Sequence, residues 1–374
     1  MEFKDFTFMV TDDCNFRCTY CPQDKEKNYL DVNSIDKALS FFPPYLADPC
    51  YINFYGGEPL LGFYQIKHSV ERLNRIGRES DKKFLYSVTT NGSLIDDDAL
   101  HFLDKHKFSV ILSFDGLAQD ISRQKGSFDR LVEVAKKLLD SPNIKLTVNS
   151  VFSPETVDLL AKSIQFIMAM DVPNIYFTVS AFIPWDESSI LKLGNELTEV
   201  RRFSLKFFEE TDTIPVEIFR ESMKKILYSC DAGQNRMVLS SEGKLWGCPA
   251  FHNYFYKKEE TQEYLKYSFG DLDDFIGHHQ SIYPEVLKNH AFLRQENYIT
   301  SHEACADCPY LEGCDACPIY SAFCTSEIGK IADWVCQIKK IFRRERECFR
   351  DELIDLKAEK FIKENLSGGG DSSQ

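Results

Sequence analysis

Residues 10–21 read Val10-Thr11-Asp12-Asp13-Cys14-Asn15-Phe16-Arg17-Cys18-Thr19-Tyr20-Cys21, and this stretch decides the fold. It follows the apolar run Phe6–Val10, which has the composition of a buried strand. Cys14, Cys18 and Cys21 then share one short loop at the strand's carboxyl end. Three thiolates so placed can hold three irons of a [4Fe–4S] cluster and leave the fourth iron open. A zinc site asks for four ligands, and this loop offers three with no nearby histidine.

Outward from the loop, short apolar runs alternate with helix-period segments. Candidate strands are Tyr51–Tyr55, Phe84–Thr89, Val110–Phe114, Ile144–Val151 and Ile175–Val179. Between them run apolar stripes: Ile35, Ala38, Leu39 and Phe42; then Phe63, Ile66, Val70 and Leu73. Phe128, Leu131, Val132, Ala135, Leu138 and Leu139 make a third, and Val157, Leu160, Ala161, Ile164 and Met168 a fourth. Six β-α pairs predict an α/β fold, a partial (β/α)6 TIM-like barrel over residues 1–183. Such sheets carry their chemistry in loops at the carboxyl ends of the strands.

Pro184-Trp185 breaks the alternation, and a linking helical segment over 184–229 contains Phe203, Leu205, Phe207 and Phe208. Arg236–Ser240 and Lys244–Trp246, joined around Glu242-Gly243, predict a β-hairpin. A smaller Cys-rich domain spans 230–340. Its run from Cys305 to Cys336 is too irregular for an apolar core, and bound metal would substitute for one. A charged helix from about Trp334 to Asn365 ends the fold, with 341–366 as its own C-terminal unit. The Gly/Ser-rich tail 367–374 reads as disordered.

With 374 residues the chain can bury a large core, and its 43% hydrophobic content fits a globular protein. No run is apolar enough for a bilayer span, and Met1–Asp5 lacks the layout of a signal peptide. The expected setting is a reducing cytoplasm, where thirteen thiols in CxxC-like groups read as metal ligands rather than disulfides. A net charge of −14 argues against nucleic acid as the main partner.

Further motifs fall in order behind the first loop. Gly56-Gly57-Glu58-Pro59 follows the second strand, Thr89-Thr90-Asn91-Gly92 the third and Ser113-Phe114-Asp115-Gly116 the fourth. With Cys14-x3-Cys18-x2-Cys21 they resemble the radical S-adenosylmethionine (SAM) superfamily. The resemblance implies that Gly56, Gly57, Glu58 and Pro59 contact the SAM amino group. It places Thr90, Asn91, Ser113 and Asp115 along the bound SAM, Arg123 on its carboxylate and Tyr20 by its adenine. A guanidinium suits a carboxylate because it can donate two parallel hydrogen bonds.

Cys230-x12-Gly243-x4-Cys248, Cys305-x2-Cys308-x5-Cys314-x2-Cys317 and Cys336 resemble the SPASM extension of these enzymes, which usually holds two auxiliary [4Fe–4S] clusters. The resemblance implies Cys230, Cys248 and Cys317 at a nearer cluster. Cys305, Cys308, Cys314 and Cys336 would serve a farther one. The family commonly has three residues between its third and fourth clustered cysteines, and this chain has two, so the nearer ligand set stays open. Cys324 is an extra candidate; Cys50 and Cys348 read as structural, and His278-His279 takes no role. By spacing alone, Cys305, Cys308, Cys314 and Cys317 also fit a four-thiolate zinc site.

The resemblance implies three [4Fe–4S] clusters and SAM as cofactors. SAM is reductively cleaved to a 5′-deoxyadenosyl radical, which takes a hydrogen atom from a peptide substrate. The expected activity is maturation of a ribosomally made peptide by a thioether or carbon–carbon crosslink, or by epimerisation. Expected partners are the peptide, an electron donor such as flavodoxin or ferredoxin, and a separate leader-peptide-binding protein, since the first strand begins almost at once. One alternative is an anaerobic sulfatase maturase. That family carries an Asp after the second SPASM cysteine, where this chain has Pro249. The other is a non-enzymatic zinc-binding adaptor.

Overall fold

The computed structural model describes residues 1–220, 230–259, 261–291, 293, 305, 307–311 and 314–367. Part of the linking segment, 221–229, and the tail beyond Ser367 lie outside the described residues. Six parallel strands come first: β1 (Phe3–Thr11), β2 (Leu46–Gly56), β3 (Phe84–Thr90), β4 (Ser109–Ser113), β5 (Lys145–Phe152) and β6 (Ile175–Val179). Between them run α1 (Val32–Phe41), α2 (Phe63–Ser80), α3 (Asp97–Lys105), the short α4 (Gln119–Ser122), α5 (Phe128–Leu139) and α6 (Leu160–Met168).

The strands turn an apolar face to the helices, and on the inner face Met9 of β1 is also buried, against the C-terminal region. Phe6, Phe8, Phe54, Val88, Val110, Leu112 and Val148 are buried under the helices, and Phe8, Phe54 and Phe108 stack in a row. On the other face the register aligns Thr7, Asn53, Ser87, Ser109 and Lys145 across five strands. Asn53 donates to Asp5 at 2.6 Å, and Ser87 donates to Asn53. Period-two alternation therefore gives an apolar outer layer and a polar inner wall. The predicted stripe on α5 omits Val134, which is fully buried, and includes Phe128, Val132 and Leu139, which are only partly buried.

The sheet does not stop at the barrel. β7 (Arg236–Leu239) pairs in parallel with β1, placing Arg236 opposite Asp5. β8 (Lys244–Trp246) and β9 (Ser268–Asp271) add antiparallel, for a nine-stranded order β6-β5-β4-β3-β2-β1-β7-β8-β9. The hairpin predicted from the sequence thus extends the barrel sheet at its β1 side. The remaining helices are α7 (Glu187–Thr211), α8 (Glu217–Arg220), α9 (Pro249–Phe255), α10 (Gln262–Tyr267), α11 (Leu272–Ala291), α12 (Pro318–Thr325) and α13 (Asp333–Ser367). α13 lies along α7, where Arg201 meets the buried Glu345 at 2.9 Å, and Phe349 stacks on Phe219 at 4.3 Å. Among the described residues no helix is long and apolar enough to cross a membrane.

Candidate active site

Cys14, Cys18 and Cys21 sit on the loop leaving β1, at the carboxyl ends of the strands. The loop is tied down from three sides. Arg17 donates to the carbonyl of Cys14, Lys25 Nζ to that of Phe16 at 2.7 Å, and Thr19 N to Ser122 O at 2.8 Å. Burial raises the Cys14 and Cys18 thiols, and Arg123 works against that rise at Cys18. Gly57 packs so closely that an added Cβ would lie 2.2 Å from Asp13 O, and Gly56, at φ +145°, meets Thr11 O at 2.1 Å. Only glycines let this β2 loop press on the cysteine loop.

Glu58 is fully buried and clamps two loops together. Its Oε1 accepts from Leu60 N at 3.0 Å and Thr90 Oγ1 at 2.7 Å, while Oε2 accepts from Asn91 N at 2.7 Å. Burial pushes its pKa up to about 7. Asn91 in turn donates to Asn15 of the cysteine loop at 2.8 Å. Pro59 opens the short 3-10 turn after Glu58, and Thr90 and Asn91 are buried.

Asp115 is the second clamp. Its Oδ1 accepts from Arg123 Nη2 at 2.9 Å and Val151 N at 2.8 Å; its Oδ2 accepts from Tyr20 at 2.9 Å and Ser122 at 2.6 Å. Arg123 also lies 5.4 Å from the Tyr20 ring centre. Burial opposes the charged guanidinium, but the Asp115 carboxylate more than offsets it, so the Arg123 pKa is raised. Tyr20, Asp115 and Arg123 are therefore brought together as one unit, with Asp115 engaged within the protein. Ser113 is buried at the end of β4.

The C-terminal thiols fall into two sets by their electrostatic neighbours. Cys248 has Cys230 and Cys317 beside it, and burial with these neighbours pushes it up to about 12. Cys336 has Cys305 and Cys314, and Cys314 has Cys308. Cys324 belongs to neither set: its Sγ points to Ala181 O at 3.5 Å, and burial alone raises it. Cys248 caps the amino end of α9 and Pro249 takes the first helical position, which suits its fixed φ.

Sequence reasoning missed Tyr55 and Tyr320. Tyr55, at the end of β2, has Cys21, Arg123 and Cys248 around its phenol, which burial pushes up to about 12. Tyr320, one helical turn after Cys317, is partly exposed and packs edge-on against Phe182. Burial, Tyr55, Cys317 and Cys248 hold its phenol well above the ordinary value. The residue before a Gly-Gly turn at a strand's carboxyl end was the available signal for Tyr55. A cavity of 440 Å³ lined by Ser109, Lys145, Asn174 and Arg220 lies at the opposite, amino ends of β4–β6.

The residues fit iron–sulfur and SAM ligation. Among the described residues no cysteine is tied up in a disulfide. Buried Arg123 Nε has no hydrogen-bond partner, as expected beside an anionic ligand. Among the described residues no three His, Cys, Asp or Glu side chains converge tightly enough for one metal ion.

Residues 8–167 match the radical SAM superfamily. The chain is 23% identical over 329 residues to the cysteine-type anaerobic sulfatase-maturating enzyme of Clostridium perfringens, covering 80% of this chain and 84% of that protein. Its fold is similar to native anSMEcpe with bound AdoMet and Cp18Cys peptide, with a TM-score of 0.72 at 19% identity over 94% of this chain and 98% of that one. It is also similar to Streptococcus suis SuiB bound to precursor peptide SuiA, with a TM-score of 0.59 at 16% identity over 90% and 76%. Residues 8–167 are thus the radical SAM domain of an enzyme, and a Cys-rich C-terminal region follows it.

Proposed function

We propose that the enzyme uses SAM to modify a ribosomally made peptide at an unactivated carbon, forming a thioether or carbon–carbon crosslink or inverting a stereocentre. One observation carries the reading: Cys21, Arg123 and Cys248 all act electrostatically on the Tyr55 phenol, so the first thiol loop and the C-terminal thiols stand around one side chain. The peptide complexes of anSMEcpe and SuiB support a peptide as the occupant.

Cys14, Cys18 and Cys21 would hold the SAM-binding cluster. Cys230, Cys248 and Cys317 would serve the nearer auxiliary cluster, and Cys305, Cys308, Cys314 and Cys336 the farther one. When bound, the first cluster and SAM supply hydrogen-atom abstraction from a substrate carbon. Gly56 and Gly57 let backbone approach the SAM amino group. Arg123, fixed by Asp115, offers its orphaned Nε to the SAM carboxylate. Glu58 sets the relative position of the Gly56-Gly57 and Thr90-Asn91 segments. Tyr55 and Tyr320 would border the bound peptide and help shield it from water. A flavodoxin or ferredoxin of a reducing cytoplasm would supply electrons, and a separate protein would present the leader peptide.

Sulfatase maturation is the second reading, favoured by the relative from Clostridium perfringens. Pro249 at the helix start offers no carboxylate beside Cys248, which places it second. Anaerobic incubation with SAM, dithionite and a co-encoded peptide, read by mass spectrometry, tests both. Loss of two hydrogens marks a crosslink, and deuterium uptake without other mass change marks epimerisation. Conversion of a sulfatase cysteine to formylglycine would favour the second reading. Replacing Cys14, Cys18 and Cys21 by Ala should remove about four irons and all 5′-deoxyadenosine formation; retained cleavage would sink the assignment.

A further inference from the structure

A buried polar group outside the motifs joins the two halves of the site. Asp12 lies two residues before Cys14 and is buried. Its Oδ2 accepts from Ser241 Oγ, in the turn between β7 and β8. Its Oδ1 faces His252 Nε2 at 3.3 Å, and because a carboxylate only accepts, Nε2 carries the proton. Ser241 and His252 are buried as well. His252 stands one helical turn after Cys248 on α9, and its ring is held edge-on by Trp246 at 6.2 Å and Tyr256 at 5.7 Å. The chain of contacts thus runs from the helix capped by Cys248, through His252 and Asp12, into the loop of Cys14.

A buried carboxylate needs such donors, and a helix or hairpin shift that removed them would leave Asp12 uncompensated. Asp12 is therefore tied to α9 and the β7–β8 turn by its side chain and to Asn28 O by its backbone N–H. We propose that Asp12, Ser241 and His252 are positioning residues that couple the first thiol loop to the nearer C-terminal thiol set, so that SAM affinity at the first site depends on the state of the second. This rests on the proposed reading of the first site as the SAM-binding cluster.

The test uses the reconstituted full chain. Iron content, the EPR spectrum of the reduced first cluster and its SAM titration are measured for wild type, His252→Leu, His252→Gln, Ser241→Ala and Cys248→Ser. His252→Leu should weaken SAM binding about tenfold, the scale of one lost hydrogen bond to a charged group. His252→Gln, which restores an N–H donor, should recover most of it. Cys248→Ser should weaken SAM binding in wild type and add little in His252→Leu, since coupled sites are not additive. A merely stabilising hydrogen bond would lower the unfolding midpoint and leave SAM affinity, EPR and additivity unchanged, and that outcome overturns the proposal. If His252→Leu does not fold, Ser241→Ala, which deletes one oxygen, decides by the same measurements. A wild-type protein that binds no SAM refutes the reading of the first site and this coupling with it. A wild type that binds SAM while the folded variants match it refutes the coupling alone.

Discussion

The barrel end of the site and the C-terminal thiol sets hold their functional groups in opposite ways. In the barrel, Glu58 and Asp115 are buried carboxylates whose donors come from four successive strand-end loops and from β5. The apolar layer of Phe8, Phe54 and Phe108 fixes those strand ends before any ligand arrives. In the C-terminal region, Cys317 precedes α12 and Cys336 lies in the first turn of α13, where burial first, and then the neighbouring Cys305 and Cys314, push the Cys336 thiol up to about 11. Contrary to the expectation of a region without an apolar core, Ile319 and Ala322 of α12 join a buried apolar cluster with Trp246, Phe251 and Phe255. Bound clusters would add to that packing by holding the grouped thiolates.

Stripping the metal is the strongest way to break that contrast. Removal of iron by chelation under anaerobic oxidation should collapse amide protection in Pro318–Thr325 by orders of magnitude, while β1–β5 keep theirs. Hydrogen exchange followed by mass spectrometry reads both. Equal loss in both regions, or none in either, would show that the two are not held differently.

Within the barrel, Asp115→Ala leaves Arg123 buried without its carboxylate and should cost about 3–5 kcal/mol in urea unfolding. A cost below about 1 kcal/mol would mean the clamp is not what orders the loop. Glu58 sharpens the same point through pH. Burial lifts it from 4.5 to about 7. Its contribution to stability is then fully present below the unfolded value and is lost as pH rises through the folded one. Wild type should therefore lose about 3 kcal/mol relative to Glu58→Gln between pH about 4.5 and about 7.5. Parallel pH profiles of the two proteins would refute this.

The smallest effect belongs to the surface link between the regions. Lys37 on α1 meets Asp273 on α11 at 2.7 Å, with both side chains more than half exposed. Lys37→Ala should change the unfolding midpoint by less than about 1 kcal/mol. A larger loss would move part of the coupling from the buried Asp12 group to the surface.

Much of this was legible in the chain. Apolar runs such as Phe84–Thr89 and stripes such as Val157–Met168 announce strands and helices because burial imposes periods of two and 3.6. The cysteine spacing and the motifs after the second, third and fourth strands mark the radical SAM domain, because a ligand at a strand-end rim needs close backbone and fixed thiolates. Polar strand residues such as Asn53 and Ser87 gave no such sign, since a polar inner wall and a solvent face look alike in sequence.

What the sequence alone determined was the class: a β-α alternation, a three-cysteine loop and a Cys-rich end, each written in local spacing. Only the tertiary structure decided that β7 joins the sheet beside β1, that Asp115 engages Arg123, and that His252 reaches Asp12. These partners lie far apart in the chain, and a single residue type carries no record of which distant group will satisfy it. Burial makes the pairing obligatory, but the fold chooses the partner.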